Sequence, residues 1–276
     1  MPHGYNGVVL RVDLTSGEAR KVELGDEFYR LHLGGSAVGT FFILKEVPVE
    51  IDALDPRNAI VLAPGVATGA AVSGVSRCCI TALSPATGAV GDSQTGGNLG
   101  PMIKRAGLDA VVITGRAPRL SALFIRDHRV EIRPVENLRG RGILEVYDRL
   151  IEEAGSENAC VLQCGPAGEN RVSFACLLCD LSNVAGRTGM GAVFGAKNLR
   201  AVLIEGSGQL DFANPKGLKE LASAAVKRLP DTELPAVLKK HGTPGVLGFQ
   251  ARAGNLATRN YSRSFHPEFE KLDGEK

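Results

Sequence analysis

Tryptophan is absent from this 276-residue chain, and aromatic residues make up only 5% of it. The net charge is just +2, so no excess of either sign argues for nucleic acid or for a membrane surface as the partner. No stretch reaches the ~18 apolar residues needed to cross a bilayer as a helix. The opening Met1-Pro2-His3-Gly4-Tyr5 has neither the basic flank nor the apolar run of a secretory signal, which predicts a cytoplasmic protein. The five histidines, His3, His32, His128, His241 and His266, are scattered, and none stands at metal-binding spacing from another. There is no nucleophile elbow, no Cys/His catalytic context and no acid/base pair that stands out.

Six cysteines in an intracellular chain point to thiols, ligands or small buried side chains before disulfides. Cys160-x3-Cys164 and Cys176-x2-Cys179 superficially resemble a four-thiolate site. Both pairs fall in apolar, strand-like runs, where i and i+3 face opposite ways and i and i+4 share a face but lie far apart. Neither pair therefore forms a ligand knuckle, and they read as buried apolar residues. Adjacent Cys78-Cys79 diverge for the same reason.

Glycine is what the chain has in abundance, 34 residues against a usual ~7%. It concentrates in Gly186-Arg-Thr-Gly-Met-Gly-Ala-Val-Phe-Gly-Ala-Lys-Asn198, which surrounds one arginine with small residues. Such a segment either turns its amides and Arg187 onto an anion or serves tight turns and close helix packing. A second candidate cradle is Gly96-Gly-Asn-Leu-Gly100, which runs into a helix started near Pro101. Leu33-Gly-Gly-Ser36 is a third glycine turn, before a helix over Ala37–Lys45.

Around these turns the pattern is mostly β. A hairpin is predicted over Gly7–Leu14 and Ala19–Leu24, with strands at Ala59–Pro64, Cys78–Leu83 and Asp109–Thr114. A second hairpin joins Ala122–Arg126 to Arg129–Arg133, and strands follow at Cys160–Cys164, Val172–Cys179 and Leu199–Ile204. Gly142–Ala154 has helical spacing. After Gly208 glycine thins out, Asn214-Pro215 reads as a helix cap, and Lys216–Arg228 is amphipathic. The domain boundary is therefore placed near residue 210: 1–208, then 212–276 as the start of an incomplete second domain.

Leu33-Gly-Gly35, Ser76-Arg77, Gly96-Gly-Asn-Leu-Gly100, Gly165-Pro-Ala-Gly-Glu169, Gly186-Arg-Thr-Gly-Met-Gly-Ala-Val193, Lys197-Asn-Leu-Arg200 and Asn255-Leu-Ala-Thr-Arg-Asn260 recur in an ordered series. In that order they resemble the N-terminal part of the tungsten-containing aldehyde ferredoxin oxidoreductases. The resemblance implies an α+β fold, in which two twisted β-sheets with peripheral helices are followed by the start of a helical domain. It implies a bis-molybdopterin cofactor holding tungsten or molybdenum, with Arg77 and Arg187 on the pterin phosphates. Gly96, Gly97, Asn98, Gly100, Thr188, Gly189 and Gly191 would border the cofactor. The main-chain carbonyls of Asn98 and Thr188 would ligate a magnesium between the phosphates. Thr188 and Cys78-Cys79 depart from the residues common in the family at those positions.

The implied activity is oxidation of aldehydes to carboxylic acids, with electrons passing through a 4Fe-4S cluster to ferredoxin. None of the six cysteines matches the cluster ligands. The resemblance thus implies a fragment or one piece of a split enzyme, inactive alone and working as a homodimer or with a companion subunit. The alternative is a non-catalytic pterin-binding or scaffold module.

Overall fold

The computed structural model describes residues 3–274. Two compact units divide the chain, 1–213 and 214–276. In the first unit the strands are β1 (Val8–Asp13), β2 (Ala19–Glu23), β3 (Ile60–Pro64), β4 (Cys78–Leu83), β5 (Val90–Thr95), β6 (Ala110–Thr114), β7 (Ser121–Arg126), β8 (Arg129–Pro134), β9 (Cys160–Cys164), β10 (Leu177–Cys179), β11 (Asn183–Ala185) and β12 (Leu199–Glu205). Its helices are α1 (Asp26–His32), α2 (Ser36–Glu46), α3 (Leu99–Arg105), α4 (Ile143–Ala154), α5 (Pro166–Glu169) and α6 (Met190–Ala196).

The strands form two six-stranded mixed sheets, ordered β2-β1-β6-β3-β4-β5 and β11-β10-β9-β12-β7-β8. Only β1–β6 and β7–β12 are parallel pairs; the remaining neighbours are antiparallel. Leu10, Leu62, Ile80 and Ile113 of the first sheet share one buried cluster with Leu123, Leu162, Val202 and Ile204 of the second. The sheets therefore face each other across the main core, and each such side chain contributes about 1.5–3 kcal/mol by leaving water. The opposite faces are covered by α2, through Val38, Phe42 and Ile43, and by α4, through Val146 and Leu150. Two twisted sheets with helices is the α+β architecture that the motif series implied.

The predicted hairpins and the apolar strands form as read: the apolar strands are buried on both faces, while the outer hairpin strands β2 and β8 stay largely exposed and are held to β1 and β7 by their ladders and turns. Two segments differ. Val90-Gly-Asp-Ser-Gln-Thr95 is an edge strand, although its polar composition reads as loop; Gly91, Ser93 and Thr95 are the inward, buried set. Val172–Cys176 is irregular, and the strand starts only at Leu177. This stretch instead lays its carbonyls against the glycines of α6: a Cβ on Gly191 would stand 2.3 Å from the Cys176 oxygen.

Two of the motifs have structural work. Glu169 closes a buried ion pair with Arg200, Nε to Oε1 3.0 Å, and Arg200 also donates to the Gln163 amide oxygen at 3.3 Å. Lys197 is 1% exposed and donates to the carbonyls of Pro56 (3.0 Å) and Gly115 (3.1 Å), tying two loops to the start of β12.

The second unit carries α7 (Pro215–Arg228), α8 (Glu233–His241) and α9 (Leu247–Arg252). The Asn214 side chain caps α7 by accepting from the Gly217 N–H at 2.8 Å. α7 and α8 contain no buried residue. Among the described residues no helix is long and apolar enough to cross a membrane.

Candidate functional site

Two of the three glycine turns, Leu33–Ser36 and Gly96–Gly100, converge on one end of β4 and β5. Leu33, Gly34 and Gly35 all take positive φ (54°, 136° and 57°), which reverses the chain into α2. A Cβ on Gly34 would lie 2.8 Å from the Pro64 oxygen, and the Gly35 N–H donates to that oxygen at 3.0 Å. The turn is thereby fixed to the end of β3. The helix it opens has no side-chain cap and no acidic residue in its first turn. Its leading amides keep the partial positive charge of a helix N-terminus.

From β3 the chain passes through a loop held by Thr68, whose Oγ1 accepts from the Gly65 N–H (2.9 Å) and donates to the Arg77 carbonyl (3.1 Å). Gly34, Gly35, Ser36, Arg77, Cys79 and Gln94 border a cavity of about 380 Å³ here. The Arg77 side chain is exposed and has no acidic partner among the described residues. Burial, and secondarily Asp92, pushes the Cys79 thiol up to about 11, so it stands neutral at pH 7.

Cys78 pairs with Thr95 across β4 and β5, and continuing that register sets Arg77 opposite Gly96. Gly97 turns at φ +76, and its Cβ position is 2.7 Å from the Asn183 amide nitrogen. Asn98 is exposed, and its carbonyl accepts the Met102 N–H of α3 at 2.9 Å. Gly100 closes the group: a Cβ there would stand 3.3 Å from the Arg77 oxygen and 2.6 Å from Thr68 Cγ2. Arg77, Gly96, Gly97, Asn98 and Gly100 are thus brought together.

Arg187 sits beside Ser93, three residues back along β5 from Gly96 or about 10 Å at the usual strand rise, and Thr188 sits beside Gly91, about 17 Å back, with Gly189 next to Pro85 beyond the far end of β4. The Arg187 N–H donates to Ser93 Oγ (3.1 Å), and Ser84 Oγ donates to the Thr188 carbonyl (2.8 Å). Thr188 takes φ +61, uncommon for a β-branched residue. Gly189 follows at φ +74 and starts α6. Cβ atoms on Gly189 and Gly191 would strike the Ser173 and Cys176 oxygens at 2.0 and 2.3 Å. Of the two readings of this segment, close packing accounts for Gly189, Gly191 and Gly195, whose Cβ positions run into backbone oxygens, but not for Gly186. Arg187 itself is exposed and without an acidic partner among the described residues.

Sequence reasoning left Gln94, Cys79, Ser84 and Ser93 out of the site. For Ser93 and Gln94 the signal would have been the edge strand itself. The cysteines also behave differently from their spacing: neither Cys160/Cys164 nor Cys176/Cys179 closes on itself, but one member of each pair meets the other, Cys160 Sγ to Cys179 Sγ 3.4 Å.

The family model for the aldehyde ferredoxin oxidoreductase N-terminal domain matches residues 9–206. The chain belongs to the aldehyde ferredoxin oxidoreductase family. The tungsten-containing aldehyde ferredoxin oxidoreductase of Pyrococcus abyssi is 34% identical over 94% of this chain and 43% of its own length. An aliphatic sulfonate oxidoreductase, WOR-like subunit, from Pyrococcus furiosus is 34% identical over 75% of the chain and 35% of its own length. Among solved structures, the active-site complex BamBC of benzoyl coenzyme A reductase with 1,5-dienoyl-CoA superposes at TM-score 0.83 and 30% identity, covering 98% of this chain and 44% of that one. This member of the family therefore spans under half the length of those relatives, and tungsten is the metal that its aldehyde-oxidising relatives carry.

Proposed function

We propose that this chain is the part of a tungsten-pterin oxidoreductase that grips the phosphate ends of the cofactor. The observation that carries the reading is Arg77, exposed and without an acidic partner among the described residues, at a glycine-lined cavity that also borders the uncapped start of α2. A planar guanidinium and helix amides together suit a phosphate dianion. Glycine keeps the walls low: a Cβ on Gly74, which borders the same cavity, would meet nothing within 4 Å. Arg187 would supply the second cation. The Asn98 carbonyl accepts one hydrogen bond and keeps a second lone pair, which suits a hard cation such as magnesium, whereas the Thr188 carbonyl, beside Ser84 at the far end of β5, stands too far away to share that ion. When bound, the pterin-held metal would supply the two-electron chemistry that oxidises an aldehyde. This chain's own residues bind and orient; no described side chain here is assigned a proton-transfer role. Ferredoxin, a 4Fe-4S cluster and the rest of the substrate pocket belong, on this reading, to a companion subunit or to further chain.

The alternative, a non-catalytic pterin carrier, shares the site but not the turnover. Arg77→Ala in protein purified from cells supplied with tungstate should lose a contact of about 1.5–3 kcal/mol, weakening cofactor retention about tenfold to a hundredfold. Arg77→Lys should retain more, and Arg187→Ala should act alike. Metal analysis and pterin fluorescence read the outcome, and unchanged tungsten in both alanine variants would refute the assignment. Aldehyde-dependent dye reduction by the loaded complex separates enzyme from carrier.

A further inference from the structure

Cys179 pairs with Leu162 in the β9–β10 ladder, so Cys160, two residues from Leu162, shares its face as a diagonal neighbour. Both thiols are buried, at 1% and 0% exposure, with their sulfurs 3.4 Å apart. The chain leaves β10 through Asp180, at φ +53. Asp180 is clamped onto Val161 twice: its N–H donates to the Val161 carbonyl at 2.7 Å, and its Oδ1 accepts the Val161 N–H at 3.0 Å. That leaves Oδ2 turned toward the thiols, 3.9 Å from Cys179 Sγ. Ligand atoms of all three residues lie within 4.8 Å of one another.

With metal–sulfur bonds of about 2.3 Å and metal–oxygen bonds of about 2.1 Å, a tetrahedral ion needs ligand–ligand edges of about 3.6–3.8 Å. The 3.4 and 3.9 Å separations bracket that range. We propose that Cys160, Cys179 and Asp180 form a binding site for a thiophilic divalent cation of the zinc class, with a fourth position left for water. Two sulfurs and one carboxylate favour such an ion over magnesium or calcium, which seek oxygen alone. Entry is from the side of Asp180, which is half-buried where the thiols are enclosed. The ion must displace protons on binding, since the hydrogen bond to Cys179 and burial both push the Cys160 thiol up. The site is separate from the phosphate cavity yet adjoins its support: a Cβ on Gly97 would lie 3.4 Å from Cys179 Sγ. A bound ion would therefore brace the inner side of the Gly96–Gly97 turn.

The test is cobalt titration of the full chain, purified anaerobically with reductant and stripped by a chelator. Cobalt(II) in this set should give thiolate-to-metal charge-transfer absorption and intense tetrahedral visible bands, both bleached by added zinc. Cys160→Ala and Cys179→Ala should lose the charge-transfer band, whereas Cys176→Ala should retain it. Asp180→Asn, which leaves the enclosed thiols in place, should keep a thiolate band but weaken uptake; this variant decides the matter if the buried cysteine variants fail a circular-dichroism check of folding. Absence of thiolate–cobalt absorption in the wild-type chain, its survival in folded Cys160→Ala, or Asp180→Asn binding as tightly as wild type would overturn the proposal. So would a Cys160–Cys179 disulfide found by peptide mapping of the reduced preparation.

Discussion

Replacing Gly189 with alanine tests whether the glycine-rich turn before α6 is built for backbone approach. The new Cβ would stand 2.0 Å from the Ser173 carbonyl oxygen and 2.9 Å from Pro85 Cγ. The first of these is main chain and cannot swing aside as a long side chain would. Gly189 also holds φ +74, where an L-residue costs about 1–2 kcal/mol. Adding about 1–3 kcal/mol for an overpacked methyl gives a total of about 2–5 kcal/mol. Gly74→Ala is the matched control: it has φ +88 and therefore the same backbone penalty, but its Cβ meets nothing within 4 Å. Its loss should stay near about 1–2 kcal/mol. Urea unfolding followed by circular dichroism compares the two. If Gly189→Ala proves no more destabilising than Gly74→Ala, the contact with residue 173 is not limiting, and the packing account of this turn fails.

Three more outcomes are expected. Burial holds the Lys197 amine down to about 7, so between that pH and its ordinary 10.5 the unfolded chain binds a proton that the folded chain has released. Stability relative to Lys197→Met should therefore rise with pH through that window, by about 5 kcal/mol at full extent, and be flat below it; a difference curve flat throughout refutes the shift. Asp109, 2.6 Å from the buried Lys104 ammonium and accepting the Asn6 and Gly7 N–H groups, pins the first strand's approach. Asp109→Asn should destabilise by about 3–5 kcal/mol, and Lys104→Met in the same chain should recover part of that loss in thermal melts. Arg200→Met strands Glu169, 6% exposed, without its cation and should cost a similar amount, while Arg200→Met with Glu169→Gln should cost less.

The sheets were legible because their strands announce themselves one at a time. Ile60–Pro64 and Ala110–Thr114 are apolar runs whose side chains are nearly all buried, and Ser121–Pro134 is a hairpin whose register follows from its turn. β5 escaped because only its inward residues are buried and those are Gly, Ser and Thr, which carry no hydrophobic period. With it went Ser93 and Gln94, although Arg77 and the Gly96–Gly100 turn beside them were visible as motifs. Thr188 was visible as a residue but not as a conformation, since its positive φ is imposed by Ser84 and Ser93, distant in sequence.

The cysteines show a second limit of reading by spacing. Within one strand the pleat puts Cys160 and Cys164 on one face and the rise correctly keeps them about 13 Å apart, yet neither says which strand lies alongside. Pairing of β9 with β10 is decided by the turns of residues 165–176 wrapping α6, and those turns exist because Gly191 and Gly195 let backbone oxygens approach where a side chain would stand. The same small residues that read as an anion cradle thus set the register that brings Cys160 to Cys179. A substitution that enlarges Gly191 should therefore disturb the thiol pair, 12 positions before it in sequence at Cys179, as well as the Arg187 turn. Thiol reactivity of Cys160 and Cys179 in Gly191→Ala, rising from protected to accessible while Cys78 stays protected, is the expected sign; unchanged protection of both would separate the register from the glycine contact.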